Sequence, residues 1–140
     1  MDNEDLIIEL FAAIESRDID RILEIYDPNV EFHWPPPLPY GGSSTGAFPD
    51  TEGPTWQSVW LPLQPTADDR AMDLRVISSR GNEVVVVYRQ RGRDINGNRY
   101  EGEVIGLYEV SNGTLCRAQM FYYDTDALLE FLKQAKASES

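Results

Sequence analysis

The chain has 140 residues, with 24 acidic and 12 basic side chains and a formal net charge of −12. Its hydrophobic fraction of 41% is typical of one globular domain, which we predict to span residues 1–140. The negative charge argues against nucleic acid and anionic membranes as partners, and the one cysteine argues against disulfides and cysteine-ligated metals.

The N-terminal residues favour a cytoplasmic protein without a membrane segment. The start of the chain, residues 1–5, is acidic and has the wrong charge for a leader peptide. No apolar run approaches the roughly 20 residues that span a bilayer. His33 is the sole histidine, and no second histidine or cysteine stands at ligand spacing, so we expect neither a metal nor another cofactor.

Two short amphipathic helices and a strand are predicted at the N-terminus. Apolar residues recur at helical spacing between Leu6 and Ile14. Asp18 is in the position of an N-cap for the second helix, which the Asp-Pro-Asn of residues 27–29 ends. Residues 30–34 then have the composition of a strand.

The next segment is rich in proline, glycine and serine. We predict that residues 35–54 form a long loop without regular structure, and a loop of this length in a compact domain usually has a function or is disordered. Residues 55–64 have the pattern of an amphipathic helix, which Pro62 must shorten or kink.

The second half of the chain has the pattern of an antiparallel meander. Strands are predicted over residues 72–79, 83–93, 99–110 and 115–123, and a closing helix over residues 127–135. Two Asn-Gly pairs favour tight hairpin turns between strands. Together these elements predict an α+β fold in which a curved antiparallel sheet wraps around helices.

The order of these elements and three motifs resemble the nuclear transport factor 2-like superfamily, and within it the SnoaL-like polyketide cyclase and ketosteroid isomerase-like branch. The motifs are residues 17–33 (Arg-Asp-Ile-Asp to Val-Glu-Phe-His), residues 38–46 (Leu-Pro-Tyr-Gly-Gly to Gly) and residues 97–124, which end in Phe-Tyr-Tyr-Asp. The resemblance implies a cone-shaped, mixed sheet around the N-terminal helices, the cystatin-like α+β barrel, with the loop of residues 35–54 over the pocket mouth. The superfamily includes isomerases, epoxide hydrolases, cyclases and non-catalytic binding domains.

The resemblance also implies where catalytic groups would lie. At the positions that carry proton chemistry in ketosteroid isomerases this chain has Leu10, Trp34 and Gly106, which excludes that route. The last-strand acid of epoxide hydrolases and SnoaL-like cyclases matches Asp124. We predict that Asp124 faces the pocket and transfers protons, with Tyr122 as a hydrogen-bond donor on the same face. The alternative is that Asp124 is only the N-cap of the last helix.

Arg89 and Arg91 share one face of a predicted strand, and the resemblance makes it the inner face. Two guanidinium groups at this spacing suit an anionic substrate oxygen, and we predict that they stabilise it. The alternative is that both arginines pair with acids on the outer surface, in which case Tyr88 and Gln90 face inward.

Aromatic and apolar side chains are predicted to form the pocket wall, which suits a flat, largely apolar ligand. The predicted substrate-binding residues are Phe32, Trp34, Tyr40, Trp56, Trp60, Val104, Gly106, Tyr108 and Met120. His33, between two inward-facing neighbours, is expected to face outward.

The side chains that point to the opposite face of the last two strands are also apolar. The residues expected on the outer sheet face are Ile105, Leu107, Leu115, Phe121 and Tyr123. Because an apolar sheet face is seldom left in water, and homologues pair sheets through this surface, we expect a homodimer.

These features predict a small enzyme without a cofactor. It would cyclise, isomerise or dehydrate a hydrophobic, polyketide-like carbonyl or epoxide substrate by acid–base chemistry. The alternative is a binding module of the same fold, which needs the aromatic pocket but not Asp124.

Overall fold

The computed structural model describes residues 2–47 and 53–139 of the chain. Its helices are α1 (Asn3–Ser16), α2 (Ile19–Ile25), α3 (Trp56–Trp60), α4 (Ala67–Arg70) and α5 (Thr125–Glu139), with a 3-10 turn at Leu61–Leu63. Its strands are β1 (Tyr26–Trp34), β2 (Gly42–Thr45), β3 (Arg75–Arg80), β4 (Glu83–Arg93), β5 (Arg99–Ser111) and β6 (Thr114–Tyr122). None of the helices in this described part is long and apolar enough to span a membrane.

The six strands form one sheet in the order β2-β1-β6-β5-β4-β3. Neighbouring strands are antiparallel except β1 and β6, which pair in parallel, so the sheet is mixed. α1 packs against β3 and β4, and α2 against β1 and β6, so both helices lie on the inner face of the sheet. The predicted α+β fold, a curved sheet around N-terminal helices, is confirmed.

Side-chain caps determine where the two N-terminal helices begin. The carboxylate of Asp2 accepts a hydrogen bond from the amide of Asp5 at 2.8 Å. The carboxylate of Asp18 accepts one from the amide of Arg21 at 3.2 Å, which confirms the predicted N-cap. Between the helices the chain turns at Arg17, whose φ of 58° is in the left-handed region that glycine usually occupies. This turn lets α2 follow α1 directly.

The segment after β1 is more regular than predicted. Residues Gly42–Thr45 form β2, which pairs antiparallel with β1, so the prediction of no regular structure is wrong for these four residues. The pairing uses main-chain groups, and a Gly-Ser-Ser-Thr sequence has no apolar alternation that would indicate a strand. Leu38 and Tyr40, just before β2, are buried. Residues 48–52 of the predicted loop lie outside the described residues.

Burial alternates along β4 and determines which side chains face the helices. Val84, Val86, Tyr88 and Gln90 are buried, and the residues between them lie on the outer side of the sheet. The predicted boundaries of this strand, residues 83–93, match the structure. Strict alternation over a whole strand is the pattern of a sheet with one buried face.

One residue of the predicted outer face lies inside. The register of the β5–β6 pair is irregular between Glu109 and Val110, which shifts the alternation near the turn. As a result Leu115 is fully buried, and its predicted outward position is wrong. Ile105 and Phe121 do lie opposite one another on the outer face, and with Tyr123 they are 46, 48 and 89% exposed.

We propose that a second copy of the chain covers this outer apolar patch of Ile105, Phe121 and Tyr123. Sedimentation velocity at micromolar concentration is expected to show a dimer, and Phe121→Glu is expected to yield a monomer, because a charge would be buried at the contact. Ile95→Glu is the matched control, since Ile95 is 78% exposed in a hairpin turn away from the patch. A wild-type monomer of 15.9 kDa would contradict this proposal.

Candidate functional site

A cavity of about 330 Å³ lies between the N-terminal helices and the inner face of the sheet. Its helical wall is apolar and comes from α1 and α2, with Leu10, Phe11 and Ile22 among the lining residues. The sheet contributes Tyr88 and Met120, among others. A largely apolar cleft with a few convergent polar groups is the usual form of a small-molecule site.

Three aromatic rings form a stacked wall of the cavity. The ring planes of Phe32 and Trp34 are 15° apart at a centroid distance of 6.4 Å, and those of Trp34 and Trp56 are 15° apart at 6.3 Å. Tyr40 meets Trp34 edge-on at 5.2 Å. All four side chains line the cavity, as predicted. Parallel flat walls suit a flat ligand, because face contact buries the most apolar surface.

A buried cluster of hydrogen-bonded side chains closes the polar end of the cavity. Its members are Tyr40, Trp56, Trp60, Gln90 and Tyr122. Its centre is the amide of Gln90, a residue only 2% exposed. The indole N–H groups of Trp56 and Trp60 lie 3.1 and 3.2 Å from the amide oxygen, and the amide nitrogen lies 2.9 Å from the Tyr122 hydroxyl. An indole can only donate, so the oxygen of the amide must face the two tryptophans and its NH₂ must face Tyr122.

The orientation of the Gln90 amide determines which side chain donates in each hydrogen bond of this cluster. Tyr122 accepts from Gln90, and its own buried proton needs an acceptor. The hydroxyl oxygen of Tyr40 lies 2.8 Å away, so we infer that Tyr122 donates to Tyr40. The single indole N–H of Trp60 is shared between the Gln90 oxygen at 3.2 Å and the Tyr40 oxygen at 3.0 Å, so the Tyr40 oxygen also accepts from Trp60. Since Tyr40 accepts both bonds, its own O–H has no acceptor among the described residues, and we infer that it is available to a ligand in the cavity that Tyr40 lines. Burial raises the pKa of Tyr40 to about 12, so the proton is present at neutral pH.

The structure places Asp124 outside the cavity. β6 ends at Tyr122, so the alternation does not continue to Asp124, which is exposed beside the start of α5. Its carboxylate accepts a hydrogen bond from the amide of Ala127 at 3.0 Å. The prediction that Asp124 faces the pocket is therefore wrong, and the alternative, an N-cap, describes its contacts.

The cap makes a simple prediction about stability. Asp124→Ala is expected to lower the free energy of unfolding by about 1 kcal/mol, because the amide of Ala127 loses its partner. Asp124→Asn is expected to change it little, since asparagine caps equally well. Urea unfolding of the three proteins measures both values. Equal stability of the alanine and aspartate forms would contradict the assignment.

Arg89 and Arg91 also lie outside the cavity, so their predicted pocket role is wrong. Arg89 pairs with Glu101 at 3.4 Å, and Arg91 pairs with Asp73 at 2.6 Å and with Glu101 at 3.1 Å. The physical reason is the parity of β4, which turns its apolar valines inward and therefore these arginines outward. Gln90 thus faces inward, as the alternative interpretation of this strand required.

The other predicted site residues fall into two groups. Phe32, Trp34, Tyr40, Trp56, Tyr108 and Met120 line the cavity. Trp60, Tyr122, Val104 and Gly106 are inward-facing but lie behind the wall rather than in it. Tyr122 and Trp60 form hydrogen bonds with the Tyr40 hydroxyl from behind the wall. The Tyr108 ring covers Gly106, where a Cβ would lie 3.0 Å from the ring.

His33 lies on the other face of the sheet, where its ring nitrogens form hydrogen bonds with Ser43 and Glu31.

Sequence reasoning missed two charged residues of the cavity. Arg17 and Arg70 line it, and both donate to the main-chain oxygen of Gln64. No short sequence signal could have found them, because their shared partner is a main-chain group in another segment. Among the described lining residues there is no carboxylate and no imidazole. The described residues also hold no group of three or more His, Cys, Asp or Glu side chains that could bind a metal.

Solved structures with the same architecture support this description of the fold. A crystal structure of TerC with polyporic acid is 23% identical over 94% of this chain and 98% of that chain, with a TM-score of 0.73. An NTF2-like protein from Burkholderia pseudomallei is 20% identical over 94 and 98%, with a TM-score of 0.71. A SnoaL-like polyketide cyclase structure from a Jannaschia species is 17% identical over 93 and 90%, with a TM-score of 0.67.

The family follows from the sequence match rather than from these distant structures, which show the fold alone. No curated protein matches the chain. The family model of the SnoaL-like domain matches residues 7–118, well over half of the chain and all of β1 to β5. The chain therefore belongs to the SnoaL-like domain family.

Proposed function

We propose that this domain binds a small, flat, largely apolar molecule that carries a carbonyl-type oxygen, such as a polyketide-like aromatic compound. The observation that carries the proposal is the pair of contacts of the Tyr40 hydroxyl, with Tyr122 and Trp60, in a residue that lines a cavity with stacked aromatic walls. From these contacts we infer that the O–H of Tyr40 is left to donate to a ligand. A donor fixed by two accepted hydrogen bonds costs little reorganisation when a ligand oxygen arrives.

Two further observations support this proposal. The wall contributed by α1, α2 and the sheet is mainly apolar, so the faces of an aromatic ligand would be buried on both sides. TerC, a protein of the same fold, has been crystallised with polyporic acid, so the fold accommodates a small organic molecule in at least that case.

Tyr40→Phe tests the binding proposal directly. Wild-type protein is expected to bind acetylnaphthalene about tenfold more tightly than ethylnaphthalene, because the ketone oxygen accepts from Tyr40. In Tyr40→Phe the two probes are expected to bind with equal affinity. Tyr123→Phe, which removes a hydroxyl from a residue 89% exposed on the outer face, is the matched control. Isothermal titration calorimetry measures all six dissociation constants.

Two results would contradict the proposal. The first is that neither probe binds the wild-type protein. The second is that the preference for the ketone survives in Tyr40→Phe, which would place the ketone oxygen away from that hydroxyl.

Catalysis is the second candidate, and the same hydroxyl favours it. A donor that bonds a carbonyl oxygen stabilises the enolate formed when a water molecule or hydroxide ion takes a neighbouring proton, the first step of many cyclisations, isomerisations and dehydrations. The solvent is the base in this step, because the described lining residues include no carboxylate and no imidazole. NMR in D₂O separates the two candidates. Protein-accelerated exchange of the acetyl protons of acetylnaphthalene, lost in Tyr40→Phe, supports catalysis, whereas binding without accelerated exchange supports a binding domain.

A further inference from the structure

Two arginines from different segments meet at one carbonyl oxygen in the cavity wall. Arg17 follows α1 and donates to the main-chain oxygens of Gln64 at 2.9 Å and Leu61 at 3.3 Å. Arg70, the last residue of α4, donates to the same Gln64 oxygen at 3.3 Å. The side chain of Gln64 in turn donates to the main-chain oxygen of Arg91 on β4 at 2.9 Å, which holds this point against the sheet.

Neither charge is neutralised within the described part of the chain. No carboxylate among the described residues lies within ion-pair distance of Arg17 or Arg70, whereas Arg21, Arg89 and Arg93 all have acidic partners. The Nε of Arg70 is buried and has no hydrogen-bond partner among those residues. A buried donor on a permanently charged group is costly unless something accepts from it.

The donors of this pair outnumber the acceptors that the described residues supply. Each guanidinium carries five N–H donors, and three contacts to two main-chain oxygens account for the hydrogen bonds that the two groups make within the described part of the chain. Both side chains line the same cavity as Tyr40. In a chain with a net charge of −12, two cations without acidic partners in the cavity wall need an explanation.

We propose that Arg17 and Arg70 bind an anionic oxygen of the ligand, namely a carboxylate, enolate or phenolate. Charge-assisted hydrogen bonds from guanidinium groups to such oxygens are short and strong, and a planar guanidinium suits a carboxylate. Because both guanidinium groups donate to the Gln64 oxygen, the distance between them is set before the ligand binds. The proposal rests on the proposed function, and it adds that the ligand is an acid as well as a carbonyl compound.

Naphthoate and acetylnaphthalene test the proposal, because a carboxylate and an acetyl group have nearly the same size and differ in charge. At a fixed ionic strength of about 0.15 M, wild-type protein is expected to bind naphthoate at least about tenfold more tightly than acetylnaphthalene. Arg70→Met and Arg17→Met are each expected to remove most of this preference, measured in each protein as the ratio of the two dissociation constants. Arg70→Lys, which keeps the charge, is expected to retain part of it.

Arg80→Met is the control, because it removes the same charge from a residue that is exposed on β3 and lies outside the cavity. Arg17→Gly keeps the test usable if the methionine forms do not fold, because glycine suits the left-handed φ of 58° at this position. Loss of the naphthoate preference in Arg17→Gly supports the proposal.

The outcomes distinguish this proposal from the one on which it rests. Binding of acetylnaphthalene without any preference for naphthoate overturns the anion site and leaves the proposed function standing. A preference that persists in both Arg17 and Arg70 variants also overturns it, and would mean that the two arginines serve only to anchor the main chain at Gln64. If neither probe binds the wild-type protein, the proposed function itself fails.

Discussion

The folded protein is expected to lose most of its stability between about pH 10 and pH 11. Burial raises the pKa of Tyr40 and of Tyr100 to about 12, and it raises the pKa of four further tyrosines above the usual range of a phenol: Tyr26, Tyr88, Tyr108 and Tyr122. In the unfolded chain these phenols ionise near pH 10. Above that pH the unfolded chain has therefore lost protons that the folded chain keeps, so rising pH favours unfolding.

The size of the effect follows from the number of buried phenols. Each contributes about 1.4 kcal/mol per pH unit once the pH exceeds the unfolded pKa, so the six groups contribute about 8 kcal/mol over one full unit. This is comparable with the whole stability of a typical domain, about 5–15 kcal/mol. An alkaline titration followed by circular dichroism and by tyrosinate absorbance should show unfolding and ionisation in one transition.

Two isosteric variants sharpen this experiment. Tyr88→Phe removes one of the six phenols and is expected to lower the slope of stability against pH by about a sixth. Tyr123→Phe removes an exposed hydroxyl and is expected to leave the slope unchanged. In Tyr123→Phe, tyrosinate absorbance that rises near pH 10 with the circular dichroism intact would mean that the buried phenols are open to solvent.

Gln90→Leu is expected to lower the free energy of unfolding by about 2–3 kcal/mol. The leucine fills similar space but leaves the Trp56 indole without its acceptor and the Tyr122 hydroxyl without its donor. Chemical denaturation measures the loss. Gln57→Leu is the control, because Gln57 is an exposed glutamine on α3, and it is expected to change stability by no more than about 0.5 kcal/mol.

Gln90→Glu tests the direction of the hydrogen bonds rather than their number. A carboxylate accepts from both tryptophans but cannot donate to Tyr122. Tyr122 would then donate to the introduced carboxylate and accept from Tyr40, which turns the Tyr40 proton away from the cavity. We therefore expect Gln90→Glu to lose the preference for acetylnaphthalene over ethylnaphthalene, as Tyr40→Phe does. An unchanged preference would contradict the inferred direction.

The elements with strong local patterns were predictable from the sequence. Apolar alternation and the turn at Asn112-Gly113, both residues of which have positive φ, place β4, β5 and β6 within one or two residues. The N-cap Asp18 is likewise a local signal. β2 was not predictable, because a four-residue edge strand is held by main-chain pairing to β1.

The site was predictable only in part, and for a physical reason. Aromatic residues in the right parity predicted the stacked wall of Phe32, Trp34 and Trp56. The position of Asp124 was missed because strand parity was extended past the last residue of β6. The roles of Gln90 and of the Arg17–Arg70 pair depend on contacts between distant segments, which one sequence does not record.

A crystal structure of the protein with acetylnaphthalene would show which protein group the ligand oxygen meets. We expect the naphthalene ring against the wall of Phe32, Trp34 and Trp56, with the ketone oxygen at hydrogen-bond distance, about 2.7 Å, from the hydroxyl oxygen of Tyr40. A ligand that occupies the cavity with its oxygen turned away from Tyr40, or one that binds only outside the cavity, would contradict the proposed binding function.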